Sequence, residues 1–367
     1  MTHEEYRAAV RNIVYLAACM VNGQAPDADR VREMDREALY QMADRHLLTG
    51  ITAMALESAG VRDEAFTQAK GKAIRKVAAM DVERAAVLDA LGEAGIWYVP
   101  LKGCVLKDLY PKLGMRQMAD NDILYDASRT KDVQSLMEAL GFEADLYPKG
   151  IHDHYFKPPV CNFELHRTLF SILRDEALFH YYADVTSRLL PDAGRRFGYH
   201  FSDEDFYVYM LAHEYKHYSG GGTGLRSLLD TYVYCKQKGD SLDWAYVAGE
   251  LDKLGIADFA ELNRSLSLHL FDGKPLTEPE RDMLEYILFS GVYGNAVNLT
   301  KNRIAKKGRL GYLLSRAFLP YKIITNLYPI LKKLPFLLPF CWVVRWVKAL
   351  RVKPKTVLFQ FKAAFKY

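Results

Sequence analysis

An α+β fold is predicted by three features of the sequence. Apolar residues recur at helical spacing through most of the chain up to Gly95. One short aromatic and β-branched run, Ile96-Trp97-Tyr98-Val99-Pro100-Leu101, then reads as a buried strand that ends sharply at Lys102-Gly103. Helical spacing resumes from about Ile172 and holds nearly to the C-terminus. That order describes a compact α/β unit with a short mixed sheet, set between an N-terminal helical region and a larger C-terminal one.

The elements follow from local signals. Ala8 to Val21 and Ala73 to Leu91 carry the N-terminal periodicity, and in the second run Ile74, Val77, Ala78, Ala85 and Leu88 share a face interrupted only by Asp81. Gly92 and Gly95 stop that helix. Cys104 to Tyr110 predicts a short helix ended by Pro111, with Gly114 in the loop beyond. Asp120 to Tyr125 predicts a second strand, and Ser128 an N-cap for a helix that runs to Leu140 and closes at Gly141. Tyr155-Phe156 and Cys161 to His166 flank Lys157-Pro158-Pro159 and predict a hairpin with a longer turn. Asp203 to Tyr218 reads as a helix. Gly220 to Gly224 reads as a turn between helices, because no strand precedes it and no Lys-Ser or Lys-Thr follows. These signals divide the chain into a helical region (1–69), an α/β core (70–190), a helical domain (191–299) and a basic, aromatic helical tail (300–367).

Composition narrows the class. Half of the 367 residues are apolar and 26% are charged, a balance that excludes disorder, collagen-like repeats and a disulfide scaffold and suits two packed domains. The five cysteines are scattered with no Cys-x-x-Cys pair, which fits reduced thiols in the cytoplasm. Glu4 and Glu5 replace the basic start of a signal peptide, so a cytoplasmic protein is expected. Charge is strongly asymmetric: residues 300–367 carry sixteen Lys or Arg and no Asp or Glu, so the rest of a chain of net +4 sums to −12. Such a tail calls for an anionic partner, RNA or the inner face of a membrane, or for docking onto the acidic body. Its charge-free window, Leu334 to Val344, falls far short of the roughly 20 residues a spanning helix needs.

The chemistry-bearing constellation lies at the strands. Residues two apart on a strand face the same way, so Asp120 and Asp122 sit about 7 Å apart and can grip common cations. Two adjacent carboxylates repel, and Mg²⁺ held jointly with substrate phosphates relieves the repulsion. Glu164, on the other candidate strand with His166 on its face, offers a third carboxylate. Three such groups on neighbouring strands suit two-metal nucleotidyl transfer. Lys102 and Gly103 can approach phosphate closely, and Arg116 can bind it in a bidentate manner.

The run Val99-Pro100-Leu101-Lys102-Gly103, then Leu109-Tyr110-Pro111, Arg116 and Asp120-Asn121-Asp122-Ile123-Leu124, resembles the uncharacterised nucleotidyltransferase family with a Leu-Lys-Gly signature. That family is a branch of the polymerase-beta-like nucleotidyltransferase superfamily. Similarity continues through Phe163-Glu164-Leu165-His166 and from His213 to Asp230. The resemblance implies a nucleotidyltransferase-like core, metal ligation by Asp120, Asp122 and Glu164, and Lys102-Gly103 facing the nucleotide. It departs from most of the superfamily, which has Gly-Ser at this turn.

The expected function is Mg²⁺-dependent transfer of a nucleoside monophosphate from an NTP to a hydroxyl of a small molecule, protein or RNA, with Glu164 assisting deprotonation. The alternatives are a non-catalytic nucleotide-binding or adaptor protein of the same fold, and a zinc hydrolase built on His213-Glu214-Tyr215-Lys216-His217. The zinc reading still requires a third ligand: Thr223 stands where the extended pattern wants histidine, which leaves that place to a glutamate farther on.

Overall fold

The computed structural model describes residues 3–146, 150–292, 294 and 296–352, together with positions 354, 357, 358, 362 and 365. Five helices come first: α1 (His3–Val21), α2 (Ala28–Arg32), α3 (Arg36–Arg45), α4 (Thr49–Ser58) and α5 (Glu64–Glu93). Asp27, Asp35 and Asp63 start α2, α3 and α5 by accepting the backbone N–H three residues on.

The sheet follows, in chain order β1 (Tyr98–Pro100), α6 (Gly103–Leu106), β2 (Asn121–Tyr125), α7 (Thr130–Ala139), β3 (Glu143–Asp145), β4 (His152–Lys157) and β5 (Cys161–His166). The spatial order is β1-β2-β5-β4-β3. Only the β2–β5 pair is parallel, so the sheet is mixed and short, as predicted. The fold is α+β.

Three local expectations are corrected. Asp120 precedes β2, which begins at Asn121. Ser128 caps nothing: Asp126 accepts its backbone N–H within a tight turn over Ala127–Arg129, and α7 begins only at Thr130. The first strand of the hairpin starts at His152, three residues earlier than Tyr155.

Alternation sorts the sheet's two faces. Ile123, Tyr125, Tyr155, Phe163 and Leu165 lie under Val77, Met80, Val87 and Leu91 of α5 and Val133 and Met137 of α7. Asn121, fully buried, donates to the Met80 carbonyl and ties β2 to α5. The opposite face carries Asp122, Leu124, His152, His154, Glu164 and His166. Leu124 joins Val99 and Leu101 in a second core with Phe206, Tyr209 and Leu211 of α9 (Asp203–Gly220). Apolar cover on one face and partial cover on the other leave the polar residues grouped at one end of the sheet.

α8 (Glu176–Tyr181) and the β6 (Leu189–Pro191) and β7 (Tyr199–Phe201) pair precede α9. α10 (Leu225–Lys238), α11 (Trp244–Lys253), α12 (Ala257–Phe271) and α13 (Glu278–Ser290) follow it, the last opened by a capping box of Thr277 and Glu280. Contacts divide the chain into two units, residues 1–215 with 224–292, and residues 216–223 with 293–367. The second contains α14 (Ala296–Ala317), kinked at Gly308, α15 (Tyr321–Leu327) and α16 (Leu338–Val352).

Candidate active site

Strand register assembles the site. In the parallel pair Asp122 lies opposite Glu164 and Leu124 opposite His166; in the antiparallel pair His154 lies opposite Glu164 and His152 opposite His166. Directly opposed residues share a face, so two carboxylates and three imidazoles converge there. His152 and His154 were not anticipated. The available signal was parity: across a hairpin, residues alternating on β4 must face the alternating Glu164 and His166.

The chain leaves β1 at Lys102 with φ 48° and ψ −119°, a backbone region that costs a residue with a side chain about 1–3 kcal/mol. Strain of this kind persists where the surroundings fix it, and here it delivers the ammonium to the carboxylates. Lys102 Nζ is 2.6 Å from Asp122 Oδ1 and 4.0 Å from Glu164 Oε2. His166 Nε2 lies 2.8 Å from the same Asp122 oxygen. A carboxylate only accepts, so His166 carries its proton on Nε2, and its buried Nδ1 has no hydrogen-bond partner among the described residues.

These contacts set the charges. Burial opposes ionisation of Asp122, but Lys102 and the His166 hydrogen bond overrule it and hold the carboxyl well below its usual range. Burial works against the Lys102 ammonium, and Asp122 outweighs it, so Lys102 stays firmly charged. Glu164 is also lowered: burial acts against its ionisation, and His166 and Lys102 prevail. Asp120 goes the other way. Burial and the neighbouring charge of Asp122 push it up to about 6.

The predicted residues are therefore not all brought together. Asp122 and Glu164 present ligating atoms within 4.8 Å of one another and of His166, a group that does not include Asp120. Gly103 follows Lys102 under tight packing, since a Cβ there would meet Arg116 Nη1 at 2.5 Å and Met118 Sδ at 2.7 Å. Arg116, expected to face phosphate, is spent inside the protein. Its Nε and Nη2 donate to the two oxygens of Asp230 at 2.8 Å each, and Tyr110 donates to the same carboxylate at 2.7 Å. Arg226, whose Nη1 donates to the Gln117 carbonyl at 3.1 Å, is a cation whose charge acts on Asp120. The sequence alone places Arg226 and Asp230 only within the family resemblance.

The zinc reading loses its general base. Glu214 is 5% exposed and accepts a hydrogen bond from Asn263 Nδ2 at 2.8 Å. Among the described residues, neither His213 nor His217 belongs to a group of three metal-ligating side chains.

Residues 32–272, more than half of the chain, match the family described as uncharacterised nucleotidyltransferase. The chain belongs to that nucleotidyltransferase family. No curated protein matches the chain significantly. Among solved structures, an antigenic nucleotidyltransferase-like protein from Paracoccidioides brasiliensis is similar at 15% identity and a TM-score of 0.31, covering 52% of this chain and 91% of that one. The membership bears out the resemblance carried by the Lys-Gly turn, the Asp-x-Asp run and the Glu-Leu-His run of this chain.

Two predictions follow from the buried charges. Replacing Arg116 by alanine leaves the buried Asp230 charge without its cation, with the Tyr110 hydrogen bond still on it, so chemical denaturation should show a loss of about 3–5 kcal/mol; unchanged stability with weakened nucleotide binding would return Arg116 to the phosphate. Burial pushes the Glu214 carboxyl up to about 7 from 4.5, so the folded chain keeps a proton that the unfolded chain has lost between those values. The stability from this group is complete below 4.5 and is lost as pH rises to about 7. Denaturant melts of Glu214→Gln should match the parent near the lower value and exceed it by roughly 3 kcal/mol near pH 8. A difference independent of pH contradicts the assignment.

Proposed function

We propose that this nucleotidyltransferase moves a nucleoside monophosphate from an NTP to a hydroxyl of an acceptor, with Mg²⁺ held by Asp120, Asp122 and Glu164. The observation that carries the reading is the strained Lys102, kept at a turn that favours glycine, with its ammonium on Asp122 and beside Glu164. A cation is demanded there from within the chain. The donor set fits a hard divalent ion as well: Asp122 and Glu164 bring carboxylate oxygens within 4.8 Å of one another, and a cation beside them would favour the ionised form of Asp120, whose carboxyl burial and the charge of Asp122 push up to about 6. When bound, such an ion supplies Lewis acidity at the phosphoryl oxygens and eases loss of pyrophosphate.

The chain's own residues do the rest. Lys102 offers its ammonium to the triphosphate, a compact charge suited to phosphate oxygens. Glu164, 19% exposed in its side chain, accepts the proton of the acceptor hydroxyl. The hydroxyl oxygen attacks the α-phosphorus, the bond from that phosphorus to the bridging oxygen breaks, and pyrophosphate leaves with the electron pair. His166 holds Asp122 in place. The Lys102–Asp122 pair also favours a second reading, a nucleotide-binding or adaptor protein without turnover, because Asp122 is already neutralised internally.

Incubation with labelled NTPs, Mg²⁺ and candidate acceptors should give labelled product, reduced about 10²-fold or more by Asp122→Ala. Labelling that survives the substitution refutes the site. Mg²⁺-dependent NTP binding by calorimetry with no product selects the adaptor reading.

A peripheral role at an anionic membrane face completes the proposal. No described helix is long and apolar enough to cross a membrane. Yet Phe340, Val343, Val347 and Leu350 recur at helical spacing along α16 and are 64, 60, 43 and 51% exposed. Lys348 and Arg351 are exposed beside them, in a tail with no acidic residue. An apolar stripe flanked by cations suits a helix lying in the headgroup layer of anionic lipid. In flotation with anionic vesicles the protein should rise with the lipid, and Phe340→Asp with Val347→Asp should remain below. Retention of RNA but not of vesicles would overturn the membrane reading.

A further inference from the structure

The geometry points to a nitrogen-rich metal site at His152, His154 and Glu164 that takes a divalent transition ion in preference to magnesium. Each residue offers one ligating atom, and all three atoms lie within 4.8 Å of one another. The two imidazoles meet edge to face, with ring centroids 4.6 Å apart and their Nε2 atoms 3.1 Å apart. His152 Nδ1 is 3.7 Å from Glu164 Oε2, and His154 Nδ1 is 3.6 Å from Glu164 Oε1. The two Nδ1–Glu164 separations exceed a good hydrogen bond; the Nε2–Nε2 contact is within hydrogen-bond range, so coordination would replace it, and all are close to the spacing of ligands that share a metal. Bonds of about 2.0–2.1 Å at tetrahedral angles leave ligand atoms roughly 3.3 Å apart.

Three further observations support a ligand set over an incidental cluster. The residues are fixed by sheet rungs: His154 and Glu164 are direct partners in the β4–β5 ladder, and His152 lies two residues along on the same face. Preorganisation of this kind lowers the ordering cost of coordination. His152 Nδ1 is buried and lacks a hydrogen-bond partner among the described residues, a costly state for a ring nitrogen unless it meets a ligand. His154, with 44% of its side chain exposed, gives the site a route to solvent.

The neighbouring group of Asp122, Glu164 and His166 is a weaker candidate for the same ion. Asp122 Oδ1 and His166 Nε2 are already bonded to each other, and Lys102 holds that oxygen too. The donors also differ in kind. Imidazole nitrogens rank Zn²⁺ and Co²⁺ far above Mg²⁺, which prefers oxygen. The inference rests on the proposed nucleotidyltransferase site only through Glu164, which both would use, and it gives that site two ions of different chemistry.

The test reads binding without nucleotide or turnover. Full-length protein, stripped with chelator, is titrated with Co²⁺ and followed by its visible d–d absorption, with thermal melts alongside. One Co²⁺ per chain, an intense band of nitrogen ligation, a raised melting temperature and little displacement by excess Mg²⁺ are expected. His154→Ala and His152→Gln should each weaken Co²⁺ affinity by about tenfold or more while Asp120→Asn does not. The metal-free melt of each variant checks folding, and His154, being half exposed, is the variant expected to keep it. No stoichiometric binding, or binding unchanged in both histidine variants and lost in Asp122→Asn, overturns the site. Co²⁺ binding in a protein that labels no acceptor supports the site and refutes nucleotidyl transfer alone.

Discussion

Lys102 reaches across the end of β1 to Asp122, and the rest of the polar face is arranged around that ion pair. Asp122 is 3% exposed, so its charge is bearable only with a cation and a hydrogen bond in place. The ammonium and His166 meet the same oxygen, and Glu164 stands next along the sheet. The backbone of Lys102 is held in a conformation that glycine would adopt more cheaply. A sequence free to relax would place glycine there; this chain keeps a charge there instead.

The pair depends in turn on register. Parallel pairing of β2 with β5 sets Asp122 beside Glu164, and a slip of one residue would put them on opposite faces of the sheet, one of them under α5 and α7. The apolar alternation of Ile123, Tyr125, Phe163 and Leu165 forbids that slip. Core packing on one side therefore positions charge on the other. Behind the turn, Arg116 and Asp230 form a buried clamp, and a side chain at position 103 would have to displace the ends of Arg116 and Met118.

Most of the framework was legible in the sequence because it follows local rules. The strand before Lys102, the Asp-x-Asp strand, the Glu-Leu-His strand and the long helices were read from spacing alone, and the resemblance ordered them into one family. What escaped was non-local. Nothing near Arg116 announces Asp230 more than a hundred residues later. His152 and His154 lay outside the short run read as a strand, and their role appears only once β4 is paired with β5. Asp120 was read as part of the strand because spacing does not register where pairing starts. The same limit applies to Glu214: a His-Glu-x-x-His string looks like a metal motif until burial and Asn263 give its glutamate a different task.

Under the proposed function a triphosphate and a cation replace the Lys102–Asp122 contact. A structure of the protein with a non-hydrolysable NTP and Mg²⁺ tests it most directly. The Lys102 ammonium should move to a phosphate oxygen while Asp122 turns to the cation. Nucleotide bound away from this face, with Lys102 still on Asp122, would contradict it.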